Sequence, residues 1–387
     1  MKSLKKEITF IYMDTSERAI YSMLAEEAEK RGYKVKLTDN KFEKCEIGVY
    51  CQHVNFPQFS NFSVVMLHDI IQQYSNWPDI WLREPWNKYD IGILPSDQWV
   101  DNWNQCSHIY YARPRIGTYK VGWPKADKFA NIKNEEHRSA FYEKYGLDKS
   151  KKTVLYAPAW ENDNKQDDFV QSMLKLDVNI LIKQWDVPEG MFTNIRENIN
   201  EMYELHKNIP RVTILPPATN IFEAIAVSDL LVSEESSTMC EAAMMGIPAV
   251  SVSNWLIPDV TPSRYPQCDY DFVIMTTKEE LTDCVSKIIE NYEKYKKETE
   301  EFSAKNFANI GKASKMIMDI IDDCVDGKQI RYDAIAPNAI RSIPLSKRVK
   351  HWLIQFKINL VYNYKVRYKL VGAVYGVLKR IKNLLIK

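Results

Sequence analysis

No acidic residue follows Asp333 in this 387-residue chain, no CxxC pair occurs, and glycine is sparse at 12 residues. Each absence excludes something. Seven cysteines without metal-ribbon spacing form neither a zinc site nor a closed disulfide framework, so reduced and mostly buried thiols are expected. Neither GxGxxG nor GxxxxGKS is present, which argues against dinucleotide dehydrogenases and P-loop NTPases. No window reaches the roughly 18 uncharged apolar residues of a membrane span. The first apolar stretch is broken by Glu7 and Asp14, too polar for a signal peptide, so a cytosolic, non-spanning chain is expected. With 45% apolar and 27% charged residues, the composition is that of a globular protein and not of a collagenous or disordered one. The net charge of +1 conceals an asymmetry. Twelve of the 52 basic residues lie from Arg341 onward, leaving 40 against 51 acidic residues before them.

Short apolar runs alternate with helical patterns. Strands are expected at 8–13, 33–37, 46–51, 63–67, 89–94 and 109–112, then at 153–157, 179–183, 211–215, 230–233 and 249–252. Helices are expected between them, among others at 16–32, 169–176, 193–206, 237–245 and 278–295. Strand–helix alternation that restarts near residue 150 predicts an α/β protein with two Rossmann-like domains facing a cleft.

The most informative stretch runs from Ser228 to Pro248: a strand, a hydroxyl-rich turn, a helix and a glycine stop. Ser236, Ser237 and Thr238 stand where the helix begins, and free backbone N–H groups there suit an anion. Glu241, one turn further, is placed to accept from ribose hydroxyls. Serine is also an ordinary N-cap, and Glu234 and Glu235 oppose phosphate binding unless they point away.

Three further stretches sharpen this reading: Val154-Leu155-Tyr156-Ala157-Pro158-Ala159-Trp160, Val121-Gly122-Trp123-Pro124-Lys125-Ala126-Asp127, and Ile180-Leu181-Ile182-Lys183. In this order, with the Ser-Ser turn and Glu241, the chain resembles the CDP-glycerol glycerophosphotransferase family of teichoic acid primases and polymerases. The resemblance covers roughly residues 60–310. It implies a GT-B architecture and transfer of glycerol phosphate, or a related alditol phosphate, from a CDP-activated donor to an acceptor hydroxyl, releasing CMP. By position it makes His68 the catalytic base. Asp69, which stands where the family has glycine, would orient the ring. Ser236, Ser237, Thr238, Glu241, Lys183, Tyr156 and Pro158 fall on the donor side. Gln184-Trp185 replaces a second family histidine. On this reading 1–147 is the acceptor-side domain, 148–330 the nucleotide-donor domain and 331–387 a tail.

No spacing of carboxylates or histidines demands a metal, and Mg²⁺ accompanying the diphosphate stays an alternative. Arg113, Arg115 and Lys125 are read as solvated surface more readily than as ligands. Trp77, Trp81, Trp86, Trp99 and Trp103 are read as packing. In the tail, Val349, Trp352, Leu353, Phe356 and Leu360, then Val374, Val377, Leu378, Ile381, Leu384 and Leu385, recur at helical spacing among lysines and arginines. A basic amphipathic helix of this kind suits an anionic membrane surface better than nucleic acid. A peripheral enzyme on the cytoplasmic face, acting on a lipid-linked cell-wall or capsule glycan, is therefore expected. Two other readings stay open: a GT-B glycosyltransferase using a nucleotide-sugar donor, and a non-catalytic membrane-surface relative.

Overall fold

The computed structural model describes residues 4–13, 15–51, 54–67, 79–128, 132–187, 189–190, 192–255, 257 and 273–362. Their strands form two parallel six-stranded sheets. The first is built from β1 (Glu7–Ile11), β2 (Lys34–Thr38), β3 (Cys45–Cys51), β4 (Ser60–Met66), β5 (Ile91–Leu94) and β6 (Gly117–Lys120), in the order β2-β1-β3-β4-β5-β6. The second contains β7 (Lys152–Tyr156), β8 (Val178–Ile182), β9 (Val212–Ile214), β10 (Leu230–Ser233), β11 (Ala249–Val252) and β12 (Val273–Thr276), in the order β12-β11-β10-β7-β8-β9. Every residue of β8, β10 and β11 is buried, as helices on both faces of a parallel sheet require. The expected pair of Rossmann-like units is thus present.

Helices connect the strands. The first unit carries α1 (Thr15–Lys30), α2 (Asp97–Cys106) and α3 (Glu135–Tyr145). Asn134 caps α3 by accepting from the His137 N–H, and Gly146 ends it in the left-handed region. The second carries α4 (Lys165–Met173), α5 (Thr193–His206), α6 (Ile221–Ala226), α7 (Thr238–Met244), α8 (Leu281–Glu290) and α9 (Tyr292–Asn306). The chain then returns to the first sheet through α10 (Ala313–Val325), which lies on α1. Arg31 pairs there with Asp319 at 2.7 Å and Asp322 at 2.8 Å, while Asp127 accepts the Ala313 and Ser314 N–H groups that open α10. One apolar cluster extends from Phe10 and Val64 through Trp123 and Ala126 to Leu155, Phe222 and Ile320.

Two expected elements differ. Residues 109–112 are not a strand: Tyr110–Ala112 is a 3-10 turn whose Ala112 carbonyl accepts from the Trp103 indole, and the strand begins only after Pro114. The helix expected at 278–295 is divided at Asn291, where φ −116° and ψ 31° separate α8 from α9.

Beyond α10 an extended segment follows the first unit, with the Ile335 N–H donating to the Thr118 carbonyl at the β6 edge. The final described helix, α11 (Leu345–Leu360), packs beside Asp79–Leu82. His351 stacks on Tyr111, Lys347 pairs with Asp79 at 2.8 Å, and the Gln355 amide donates to the Leu82 and Arg83 carbonyls. Its apolar stripe faces outward: Trp352 is 61% exposed and Phe356 55%, with Leu345, Val349, Leu353 and Leu360 beside them. The second tail stripe, from Val374 on, lies outside the described residues. Among the described residues no helix is long and apolar enough to cross a membrane.

Candidate active site

In each sheet the strand order reverses once, between β1 and β3 and between β7 and β10. Crevices open at the carboxyl ends of the strands flanking such reversals, and ligands of open α/β sheets bind there. The second crevice lies between 157–160, after β7, and 234–237, after β10.

Glu234 builds its floor. Instead of facing the opening, the side chain turns inward, accepting from the Ala159 N–H at 2.9 Å, the Trp160 N–H at 3.2 Å and Lys165 Nζ at 3.1 Å. Ser233 Oγ lies 3.1 Å from its second oxygen and donates to the Ala157 carbonyl at 2.7 Å. Ser251 Oγ donates to the Glu234 carbonyl at 2.6 Å. Both walls of the crevice thus hang on one buried carboxylate, whose charge is directed away from the mouth. The first of the two acids that opposed phosphate binding in the sequence is a structural anchor.

The hydroxyl turn sits above this floor. Ser236 is buried, and its Oγ accepts from the Thr238 N–H at 3.3 Å; Ser237, at φ −60° and ψ −14°, makes no side-chain cap bond to α7. Helix capping therefore does not account for Ser237. Thr238 Oγ1 lies 3.4 Å from the Ala157 carbonyl, tying the start of α7 to the β7 side.

Lys183 directly follows β8, which neighbours β7 on the side away from β10. Its Nζ donates to the carbonyls of Gln184 (2.6 Å) and Pro217 (2.7 Å). Burial lowers its pKa to about 8; nearby Asp186 works against that shift and Lys125 adds to it. Lys125 comes from the first unit, on the 3-10 turn Pro124–Lys128. Its Nζ lies 2.7 Å from Glu241 Oε1 on α7 and 4.9 Å from the Phe222 ring centre on α6. The pair joins the β1–β6 unit to α7, with the Glu241 side chain only 3% exposed. Gly122 precedes this turn at φ +99°, where a Cβ would stand 2.5 Å from the Ala308 carbonyl oxygen, so the chain here lies close on the segment after α9.

Ser236, Ser237, Thr238 and Glu241 lie on the turn and first helical turn after β10, where Lys125, which the sequence suggested to be surface, pairs with Glu241, while Lys183 follows β8 with its Nζ on the Gln184 and Pro217 carbonyls. The overlooked signal for Lys125 was its position two residues after Trp123 in a glycine–tryptophan–proline turn. Arg115 pairs with Asp90 at 2.8 Å, and Arg113 donates to the Ser107 and Asn338 carbonyls, away from the crevice. Pro158 is buried at the crevice edge. Tyr156 is fully buried as well, its ring stacked on Phe169 and its hydroxyl donating to Glu161 at 2.8 Å, so it supports the β7 turn from beneath. Gln184 points inward too, donating to Glu161 at 2.6 Å and Gln166 at 2.8 Å. His68 and Asp69 follow β4 and lie outside the described residues, as does Trp77. Trp81, Trp86, Trp99 and Trp103 are core. Among the described residues no group of three or more His, Cys, Asp or Glu side chains could hold a metal ion.

Residues 81–322 match the family described as CDP-Glycerol:Poly(glycerophosphate) glycerophosphotransferase. The wall teichoic acid polymerase TagF, in a structure soaked with CDPG, superposes with a TM-score of 0.60 at 16% identity, over 84% of this chain and 90% of that one. A putative UDP-N-acetylglucosamine 2-epimerase from Listeria monocytogenes gives 0.59 at 13% identity, over 86% and 100%. The UDP-GlcNAc 2-epimerase from Neisseria meningitidis bound to UDP-GlcNAc gives 0.58 at 12%, over 82% and 99%. At such identities these likenesses establish the fold, two facing sheets of GT-B type. No curated protein matches the sequence.

Proposed function

The chain belongs to the CDP-glycerol:poly(glycerophosphate) glycerophosphotransferase family, and on that premise we propose that it transfers glycerol phosphate, or a related alditol phosphate, from a CDP-activated donor to an acceptor hydroxyl in teichoic acid or capsule synthesis. The acceptor oxygen attacks the phosphorus that bears the alditol. The bond from that phosphorus to the bridging oxygen breaks, and CMP leaves with that oxygen. The acceptor proton passes to His68, an imidazole being suited to proton transfer near neutral pH; Asp69 orients it.

The observation that supports this reading is the Lys125–Glu241 pair, which brings an ammonium of the first unit to the helix that opens at the Ser236–Thr238 turn after β10. A diphosphate there meets hydroxyl and amide donors and two ammonium groups. Such preorganised positive potential is the main lever of phosphoryl transfer. Glu241 meets the ribose, and Lys125 holds its carboxylate in place. In this assignment the β7–β12 unit binds donor and the β1–β6 unit receives the acceptor.

We assign the basic tail to the cytoplasmic face of the membrane, where it brings the enzyme to a lipid-linked glycan. The outward apolar stripe of α11 supports this, since packing on the acidic body would have buried that stripe. Each Lys or Arg near anionic lipid adds about 1 kcal/mol.

The test is CMP release from CDP-glycerol or CDP-ribitol with a polyprenyl-linked glycan, followed chromatographically. Turnover is expected, and its loss in His68→Ala and Ser237→Ala. Release of a nucleoside diphosphate instead would assign sugar transfer, and nucleotide binding without turnover across a donor panel would assign a non-catalytic role.

A further inference from the structure

A helix on the surface of a protein in water turns its apolar stripe inward and its polar face outward. In α11 the order is reversed. Its inward row is Lys347, His351, Ile354, Gln355 and Ile358, each half-buried, and only the two isoleucines among them are apolar. Polar contacts fasten this row. Lys347 pairs with Asp79, and the His351 ring stacks on Tyr111 at 4.3 Å and lies 5.6 Å from the Trp81 ring. The Gln355 amide donates to the Leu82 and Arg83 carbonyls, and its oxygen accepts from Lys88 Nζ at 2.8 Å. The outward row, Leu345, Val349, Trp352, Leu353, Phe356 and Leu360, is exposed at every position. At about 3.6 residues per turn, Arg348 falls on one flank of that row and Lys350 and Lys357 on the other.

The segment that leads into α11 is fastened as well. Besides the Ile335 bond to the β6 edge, the Asn338 N–H donates to Ser107 Oγ at 2.9 Å, its side-chain amide to the Asn104 carbonyl at 2.7 Å, and the Arg341 N–H to the His108 carbonyl at 2.9 Å. Ile340 on this segment is exposed. Two residues on from His108, Tyr110 is 61% exposed although it lies outside the tail. Its ring meets the Tyr111 ring edge-on at 6.0 Å, and Tyr111 is the ring on which His351 rests.

Charge decides what covers this face. Residues 334–362 carry five basic side chains and no acidic one. A second copy of the chain would set these cations against one another, whereas an anionic bilayer neutralises them. Depth follows from the helix. With side chains, α11 is about 10 Å thick, and an interfacial helix sinks its apolar face about 5–10 Å into the boundary of headgroups and acyl chains. Tyr110, level with the docking face, then stands among the headgroups, where tyrosine is favoured.

We propose that α11 is a docked platform and not a loose tether: with Ile340 and Tyr110 it holds the first unit on an anionic bilayer in one orientation, the α11 stripe in the acyl boundary and Tyr110 in the headgroup layer. The proposal rests on the membrane reading above and goes beyond it, since a free tail would reach lipid without bringing Tyr110 there.

The test uses the full chain with an environment-sensitive fluorescent amino acid introduced genetically at position 352 or at position 110, mixed with vesicles of phosphatidylglycerol and phosphatidylcholine. Emission is expected to shift to the blue at both positions. Nitroxides on the acyl chains should quench position 352 more strongly, and nitroxides on the headgroups position 110. Tyr110→Asp, a change at an exposed side chain, should weaken vesicle binding about five-fold. The double variant His351→Ala with Gln355→Ala frees the docking face; it should still bring position 352 into lipid while position 110 keeps its aqueous emission. A label that enters lipid at 352 but not at 110 in the otherwise unsubstituted chain would overturn the platform and leave the membrane reading standing, and so would an unchanged signal at 110 in the double variant. Absence of any vesicle binding would overturn both. A blue shift at 352 that needs no vesicles and grows with protein concentration would assign the stripe to a second copy and likewise overturn the platform.

Discussion

Replacing Glu234 by glutamine should unfold the β7/β10 crevice more readily than any surface change near it. The Glu234 side chain is 1% exposed and its ionic partner Lys165 is 0% exposed. The carboxylate serves the Ala159 and Trp160 N–H groups and Lys165, with Ser233 Oγ at its second oxygen. An amide of equal size turns two N–H donors toward these donors and takes the counter-charge from a buried ammonium. Breaking one side of a buried pair costs about 3–5 kcal/mol. With a urea m-value of about 2 kcal/mol per molar, that cost lowers the transition midpoint by roughly 1.5–2.5 M. Far-UV circular dichroism in urea reads this shift. The double variant Glu234→Gln with Lys165→Met should recover part of the loss, because the uncompensated charge is gone. CDP affinity should fall in the single variant, both crevice walls having lost their shared anchor. A midpoint shift below about 0.5 M, or a double variant less stable than the single one, would refute the reasoning.

Gly122→Ala should cost about 2 kcal/mol or more, because φ +99° and a backbone oxygen 2.5 Å from the new Cβ leave no cheap adjustment. Gly146→Ala, at φ +66° with nothing within 4 Å, should cost only about 1 kcal/mol, and equal melting temperatures for the two would contradict the contact argument. The depressed Lys183 pKa of about 8 makes CDP affinity constant at lower pH and weaker as the ammonium is lost above that value. In the free protein the sign reverses: the unfolded chain holds this proton more tightly, so the penalty of the buried charge is relieved between about 8 and the ordinary lysine range. Calorimetric titration across pH 7–9.5 should show the CDP effect, absent in Lys183→Met; a flat wild-type profile would count against Lys183 as a phosphate ligand. Exchanging Trp352 and Phe356 for Glu should abolish co-sedimentation with phosphatidylglycerol vesicles without lowering thermal stability, since both side chains are outside the core; undiminished sedimentation would remove α11 from the membrane contact.

Local order was open to inference from residue pattern. Short, largely apolar runs such as 230–233 and 249–252, bounded by turn residues, suit strands of a sheet covered on both faces, and they became β10 and β11. The turn at Ser236–Thr238 followed from hydroxyl residues between a strand and a helix. The run at 109–112 misled because apolar content marks burial and not conformation; Pro114 and the Trp103 indole decided in favour of a turn.

Amino-acid order alone settled that this chain makes two α/β units, that a hydroxyl turn crowns the second, and that its tail is basic and amphipathic. Only the tertiary structure decided the direction of single side chains. Glu234 turns inward because two N–H groups and an ammonium 69 to 75 positions earlier meet it there. Lys125 leaves the surface because Glu241, 116 positions later, lies 2.7 Å away. The stripe on α11 faces out because its opposite face, with His351 and Gln355, found partners on Tyr111, Leu82 and Arg83. Periodicity reports which residues share a face. What that face meets depends on contacts between distant parts of the chain, and those exist only once both sheets have formed.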